Sequence, residues 1–129
     1  MNSFLTGFVC DLLDPVSKPI TRQGRRHRAL RPLAPDDAQV MRIVLCGEFH
    51  VLGFRNRDIA RALHGHSRQT PKERRRRTSK IARLLRLFRA HGLIRKVPRS
   101  FPYRVTKKGQ QLMTAALTLR QFNLKQLVT

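Results

Sequence analysis

Tryptophan is absent from this 129-residue chain and tyrosine occurs once, against seven phenylalanines. Most of the phenylalanines fall at core spacing, which leaves few rings for unpaired bases to stack on and argues against a single-strand binder. Acidic residues are scarce too: seven in all, with only Asp36 and Asp37 adjacent. Metal-dependent nucleases and transposases need clustered carboxylates for their divalent cations, so that chemistry has no visible seat. Cysteine occurs twice, at Cys10 and Cys46, too few for a disulfide framework, and a reduced cytoplasmic setting is expected. The run Ile43 to Cys46 is four residues, far short of the ~18–20 that a membrane span needs. The first residues also lack the basic and apolar regions of a signal peptide.

Positive charge is abundant. Lysine and arginine total 28 against 7 acids, a net charge of +21. Self-repulsion of that size opposes a compact fold unless a polyanion relieves it. Apolar residues make up 40% of the chain, enough for the core of one domain with an appended arm.

The charge is uneven. After Glu73, the last acid, sixteen cations follow. A second cluster, Arg22, Arg25, Arg26, Arg28 and Arg31, lies among Pro19, Gly24 and Pro32 with little apolar content, and reads as an arm or linker.

Phe4, Leu5, Phe8, Val9, Leu12 and Leu13 predict an amphipathic helix stopped by Pro15. Pro35-Asp36-Asp37 opens a second helix carrying Val40, Met41, Val44 and Leu45, ended by Gly47; a connection through Phe49, Val51 and Leu52 follows. Asn56 is the expected N-cap of a brief helix with Ile59, Ala60, Ala62 and Leu63. Thr70-Pro71-Lys72-Glu73 has the form of a capping box, with Thr78 as a competing start, before Ile81, Leu84, Leu85 and Phe88 and a stop at Gly92. Leu93–Val97 and Tyr103–Val105 then predict a hairpin around a five-residue tip, and Thr106 caps a last helix reaching toward Leu127. The expected division is a terminal helix over 1–14, a basic arm over 15–35, a folded domain over 36–119 and a helical extension over 120–129.

Helix, short helix, long helix, hairpin, helix is an order that resembles the winged helix-turn-helix family, MarR-like bacterial regulators most of all. The resemblance rests on Arg57-Asp58-Ile59-Ala60-Arg61-Ala62-Leu63, on Ile81 to Ile94, on Arg99 and on Val105-Thr106-Lys107-Lys108-Gly109. MarR-type wings often read Asp-x-Arg-x-x-x-Val-x-Leu-Thr-x-x-Gly. Arg99, Thr106 and Gly109 match; Tyr103 and Val105 replace the Val and Leu, and Val97 stands where the Asp would be. The stretch from His64 to Gln69 exceeds the usual short turn. The resemblance implies a mainly α fold with a small β-hairpin (α+β), namely a winged helix, to which this sequence adds an amino-terminal helix and a basic arm, the arm being no obvious feature of the family. It also implies sequence-directed binding of double-stranded DNA by a transcriptional regulator or mobile-element accessory factor, nucleoid-associated if bacterial. It further implies a homodimer through the terminal helices; the alternative is that both terminal segments fold back on their own domain.

The residues point the same way without the resemblance. At about 100° per residue, the face opposite Ile81, Leu84, Leu85 and Phe88 carries Lys72, Arg75, Arg76, Ser79, Arg83 and Arg86. A helix so charged suits the major groove, with Arg76, Ser79 and Arg83 toward base edges and Arg74, Arg77 and Lys80 toward phosphates. Arg95, Lys96, Arg99 and Arg104 of the wing and Arg22, Arg25, Arg26 and Arg28 of the arm are further expected contacts, on phosphates or in the minor groove.

Other chemistries find less support. Cys46 and His50, or His64 and His66, lack a convincing third ligand, and Cys46 is expected as a buried small hydrophobe. Tyr103 is explained as a strand residue. No catalytic set, metal or cofactor is expected, and no membrane partner. Structured RNA, or docking as an accessory subunit of a nucleic-acid-processing complex, is the alternative to duplex DNA.

Overall fold

Five helices and two antiparallel hairpins are found among residues 16–31, 34–65, 68–99 and 102–128, the parts that a computed structural model of the chain describes, with side chains to 122. The helix expected over 1–14 lies outside them, and with it half of the expected dimer surface. The described part is mainly helical with a small β component, an α+β arrangement. No helix among the described residues is long and apolar enough to cross a membrane.

The segment read as a linker is folded. Strands β1 (Ile20–Arg22) and β2 (Arg25–His27) pair with Ile20 opposite His27 and Arg22 opposite Arg25. Gln23 and Gly24 between them have φ of 52° and 77°, the two left-handed residues of a turn whose twist matches a hairpin. Gln-Gly is a weaker turn signal than Asn-Gly, and no apolar alternation marks the strands. The flanks are sewn to the body by Val16 and Leu30, both buried and joined by an Leu30 N–H to Val16 carbonyl bond of 2.9 Å.

Helix α1 (Pro35–Val44) starts on proline with Asp36 and Asp37 in its first turn and buries Val40, Met41 and Val44. The expected connection after Gly47 is a short helix, α2 (Gly47–Leu52). Helix α3 (Asn56–His64) does not use Asn56 as its cap: Arg55 holds that position, and the Asp58 carboxylate accepts the Arg55 N–H at 2.8 Å. Cys46 also departs from expectation. It follows the end of α1, past the apolar stripe, and is exposed.

Helix α4 (Pro71–Ala90) is capped as the sequence predicts, with the Thr70 hydroxyl accepting the Glu73 N–H at 3.1 Å; Thr78 lies inside it. Gly92 just beyond takes φ 78°, the left-handed stop. Strands β3 (Ile94–Lys96) and β4 (Tyr103–Val105) form the second hairpin, lengthened by a 2.9 Å bond from Val97 N–H to the Pro102 carbonyl. Phe54 bonds across to Tyr103 in both directions and the two rings stack at 5.9 Å.

Helix α5 (Lys107–Val128) runs unbroken through most of the expected extension over 120–129. The Thr106 hydroxyl accepts the Gly109 N–H at 2.8 Å and lies 2.8 and 3.1 Å from the Gly92 and Leu93 carbonyls. A Cβ at Gly109 would stand 1.9 Å from the Leu93 carbonyl oxygen. Thr106 and Gly109 therefore dock the start of α5 against the end of α4, which orients α4 and the second hairpin together. The core between the helices is Met41, Val44, Phe54, Ile59, Ile81, Leu85, Phe88, Leu93 and Met113.

Candidate nucleic-acid interface

Twenty residues of α4 span roughly 30 Å. Ile81, Leu84, Leu85 and Phe88 are buried on one side, whereas Lys72, Arg75, Arg76, Ser79, Arg83 and Arg86 are all exposed. The Nε atoms of Arg75 and Arg86 lie 3.4 Å from the Pro71 and Ala82 carbonyls of the same helix. These contacts are long and leave the face cationic along its length.

Other expected site residues have neighbours within the fold. Lys80 pairs with Asp36 at 2.8 Å across α4 and α1, both more than half exposed. Arg104 donates to the Val51 carbonyl at 2.7 Å, so it closes the end of α2. Arg22 donates to the Arg89 carbonyl at the end of α4, where the helix dipole favours a cation. Arg28 is held most firmly, as a two-pronged partner of the buried Asp37. Arg25, Arg26, Arg95, Lys96 and Arg99 are exposed, the last near the tip of the second hairpin with φ 105°.

The β1–β2 hairpin packs against the last turns of α4. A cleft of about 280 Å³ lies there, lined by Arg22, Arg25, His27, Arg86 and Arg89. The two basic clusters that are far apart in sequence thus meet at the carboxy-terminal end of the long helix. Sequence reasoning did not place them together, because a segment without apolar alternation shows no docking face.

A second cleft, of about 730 Å³, lies between α3 and α4, and Arg57, Arg61 and His64 face Arg74 and Arg77 across it. Arg57 and Arg61 were missed as site residues; their i, i+4 spacing on α3 was the available signal. His64 titrates below its ordinary value because burial disfavours its charged form and because Arg77 and Lys80 repel a proton there. His91, at the end of α4, is also shifted down, by burial first. Its Nε2 donates to the Arg28 carbonyl at 2.8 Å.

The acids mostly serve helix starts. Asp36, Asp37, Asp58, Glu48 and Glu73 all stand in first turns, and Asp36 and Asp37 form ion pairs with Lys80 and Arg28. The basic surfaces therefore keep most of their charge uncompensated. No group of three His, Cys, Asp or Glu among the described residues could hold a metal ion. Comparisons with protein families, curated proteins and solved structures return no match.

Proposed function

We propose that this chain is a double-stranded DNA-binding protein of winged helix-turn-helix type, a binding protein and not an enzyme, acting as a regulator or an accessory factor. The observation that carries the reading is the two-sided character of α4, with a core stripe behind and six exposed outer positions, five of them cationic, in front. A helix of this length and charge fits the major groove, with Arg76, Ser79 and Arg83 toward base edges.

Three further features support it. The order α3, α4, hairpin, α5 is that of the MarR-like pattern, with Thr106 and Gly109 in demanding structural roles. The wing tip carries an exposed arginine. The β1–β2 hairpin adds Arg22 and Arg25 beside Arg86 and Arg89, on a fixed element in place of a loose arm. Arg28 and Arg104 act within the fold in this reading and orient the elements that carry the contacts.

A competition titration tests the partner. Labelled duplex DNA bound to the chain is challenged with unlabelled duplex and with a structured RNA of equal phosphate count. Displacement by duplex at about tenfold lower concentration than by RNA supports the proposal. Equal displacement, or stronger displacement by RNA, makes RNA the partner.

A further inference from the structure

The α3–α4 cleft lies on the opposite flank of α4 from the outer face. The line of Phe88, Leu84 and Ile81, continued at helical spacing toward the amino-terminal end, leaves the buried stripe and reaches Arg77, half-buried, and Arg74, exposed. Helix faces that look toward a packed neighbour ordinarily carry apolar or paired side chains. Here both sides supply cations: Arg57 and Arg61 from α3, Arg74 and Arg77 from α4. No carboxylate among the described residues lines the cleft. His64, on the same cleft, is held below its ordinary value by burial first and then by the nearby Arg77 and Lys80.

Four guanidinium groups around one opening favour an anion that offers several oxygens to their planar forks. A carboxylate would engage one or two of them; a phosphate chain can engage all four. The volume of about 730 Å³ falls in the range of small-molecule sites. We propose that the cleft between α3 and α4 is a binding site for a multiply charged phosphate group, held by Arg57, Arg61, Arg74 and Arg77. The phosphate can come from a free organic polyphosphate or from a nucleic-acid backbone. The site stands whether or not the outer face of α4 reads a duplex.

The test uses the full chain and inorganic pyrophosphate, in calorimetric titrations at about 0.15 M salt, where surface attraction is largely screened. Saturable 1:1 binding is expected. The variant Arg57→Gln/Arg77→Gln should weaken it by about tenfold or more, as expected for two lost charge-assisted bonds. Arg42→Gln/Lys107→Gln, with the same change in net charge at exposed positions outside both clefts and the outer face, should change it by less than about twofold. In the unaltered chain, the Nε–H resonances of Arg57, Arg61, Arg74 and Arg77 should shift on titration, a readout that does not depend on any variant folding. Absence of saturation, equal losses in the two variants, or shifts confined to other arginines would overturn the site. A duplex titrated into the pyrophosphate complex then identifies the source. Displacement means that the cleft takes a backbone phosphate, and simultaneous binding means that it serves a free polyphosphate.

Discussion

Arg28 grips the buried carboxylate of Asp37 with both terminal nitrogens, at 3.0 and 3.2 Å, and so ties the basic amino-terminal segment to α1. Asp37 also accepts the Arg31 N–H at 3.1 Å, and the Arg28 carbonyl receives the His91 proton from the end of α4. One arginine thereby joins three parts of the fold. The carboxylate is 3% exposed and the arginine 37%, so the pair is stronger than a surface bridge but is not fully desolvated. Arg28→Ala leaves Asp37 buried with its charge short of partners. A loss of about 3 kcal/mol is expected, at the low end for a broken buried pair, and urea denaturation measures it.

His91 makes stability depend on pH. It is 2% exposed and its pKa is held below the ordinary 6.5, by burial foremost, while its bond to the Arg28 carbonyl acts the other way. The unfolded chain therefore binds a proton more readily than the folded one, and stability rises with pH in that window. The contribution is complete above about pH 6.5 and is lost progressively as pH falls below it. His64 is shifted in the same direction. Thermal melts from pH 7.5 to 5.0 should show a falling midpoint. In His91→Gln, which can still donate to the carbonyl but does not titrate, the fall should be smaller.

Thr106 and Gly109 give a sharper structural test. Gly109→Ala drives a methyl into the Leu93 carbonyl and should cost about 3 kcal/mol, since rigid backbone has little room to yield. Thr106→Ala removes a cap and should cost about 1 kcal/mol. Denaturation curves rank the two.

Arg99 separates stability from binding. Its φ of 105° is a conformation that glycine adopts with little strain. Arg99→Gly should raise stability by about 1 kcal/mol, the lower bound for relieved backbone strain. The same change should weaken duplex binding and flatten its salt dependence by about one phosphate contact.

Much of this architecture is readable from residue pattern alone, for identifiable reasons. Thr70-Pro71 and Gly92 bracket α4 because cap, first-turn proline and left-handed glycine act locally. Leu93–Val97 and Tyr103–Val105 announce the second hairpin by a change of period. The first hairpin stays hidden because its strands, Ile-Thr-Arg and Arg-Arg-His, bury little and are fixed by Arg28, Asp37 and His91, contacts up to 63 residues apart. Asp37 looks like a helix-start acid until Arg28 folds back onto it. Of the basic residues, the outer face of α4 follows from periodicity, whereas the meeting of Arg57 and Arg61 with Arg74 and Arg77 depends on how α3 packs on α4.

The central claim is that the outer face of α4 carries a duplex, and the salt dependence of duplex affinity tests it most directly. Anisotropy titrations across a range of potassium chloride concentrations compare the unaltered chain with Lys72→Gln/Arg75→Gln/Arg86→Gln, three outer-face cations not assigned to base edges. If about 6–10 phosphates are neutralised, the log–log slope should be roughly −5 to −9, and the triple variant should be shallower by about 2 to 3. A slope shallower than about −2, or one that the triple substitution leaves unchanged, would contradict the account.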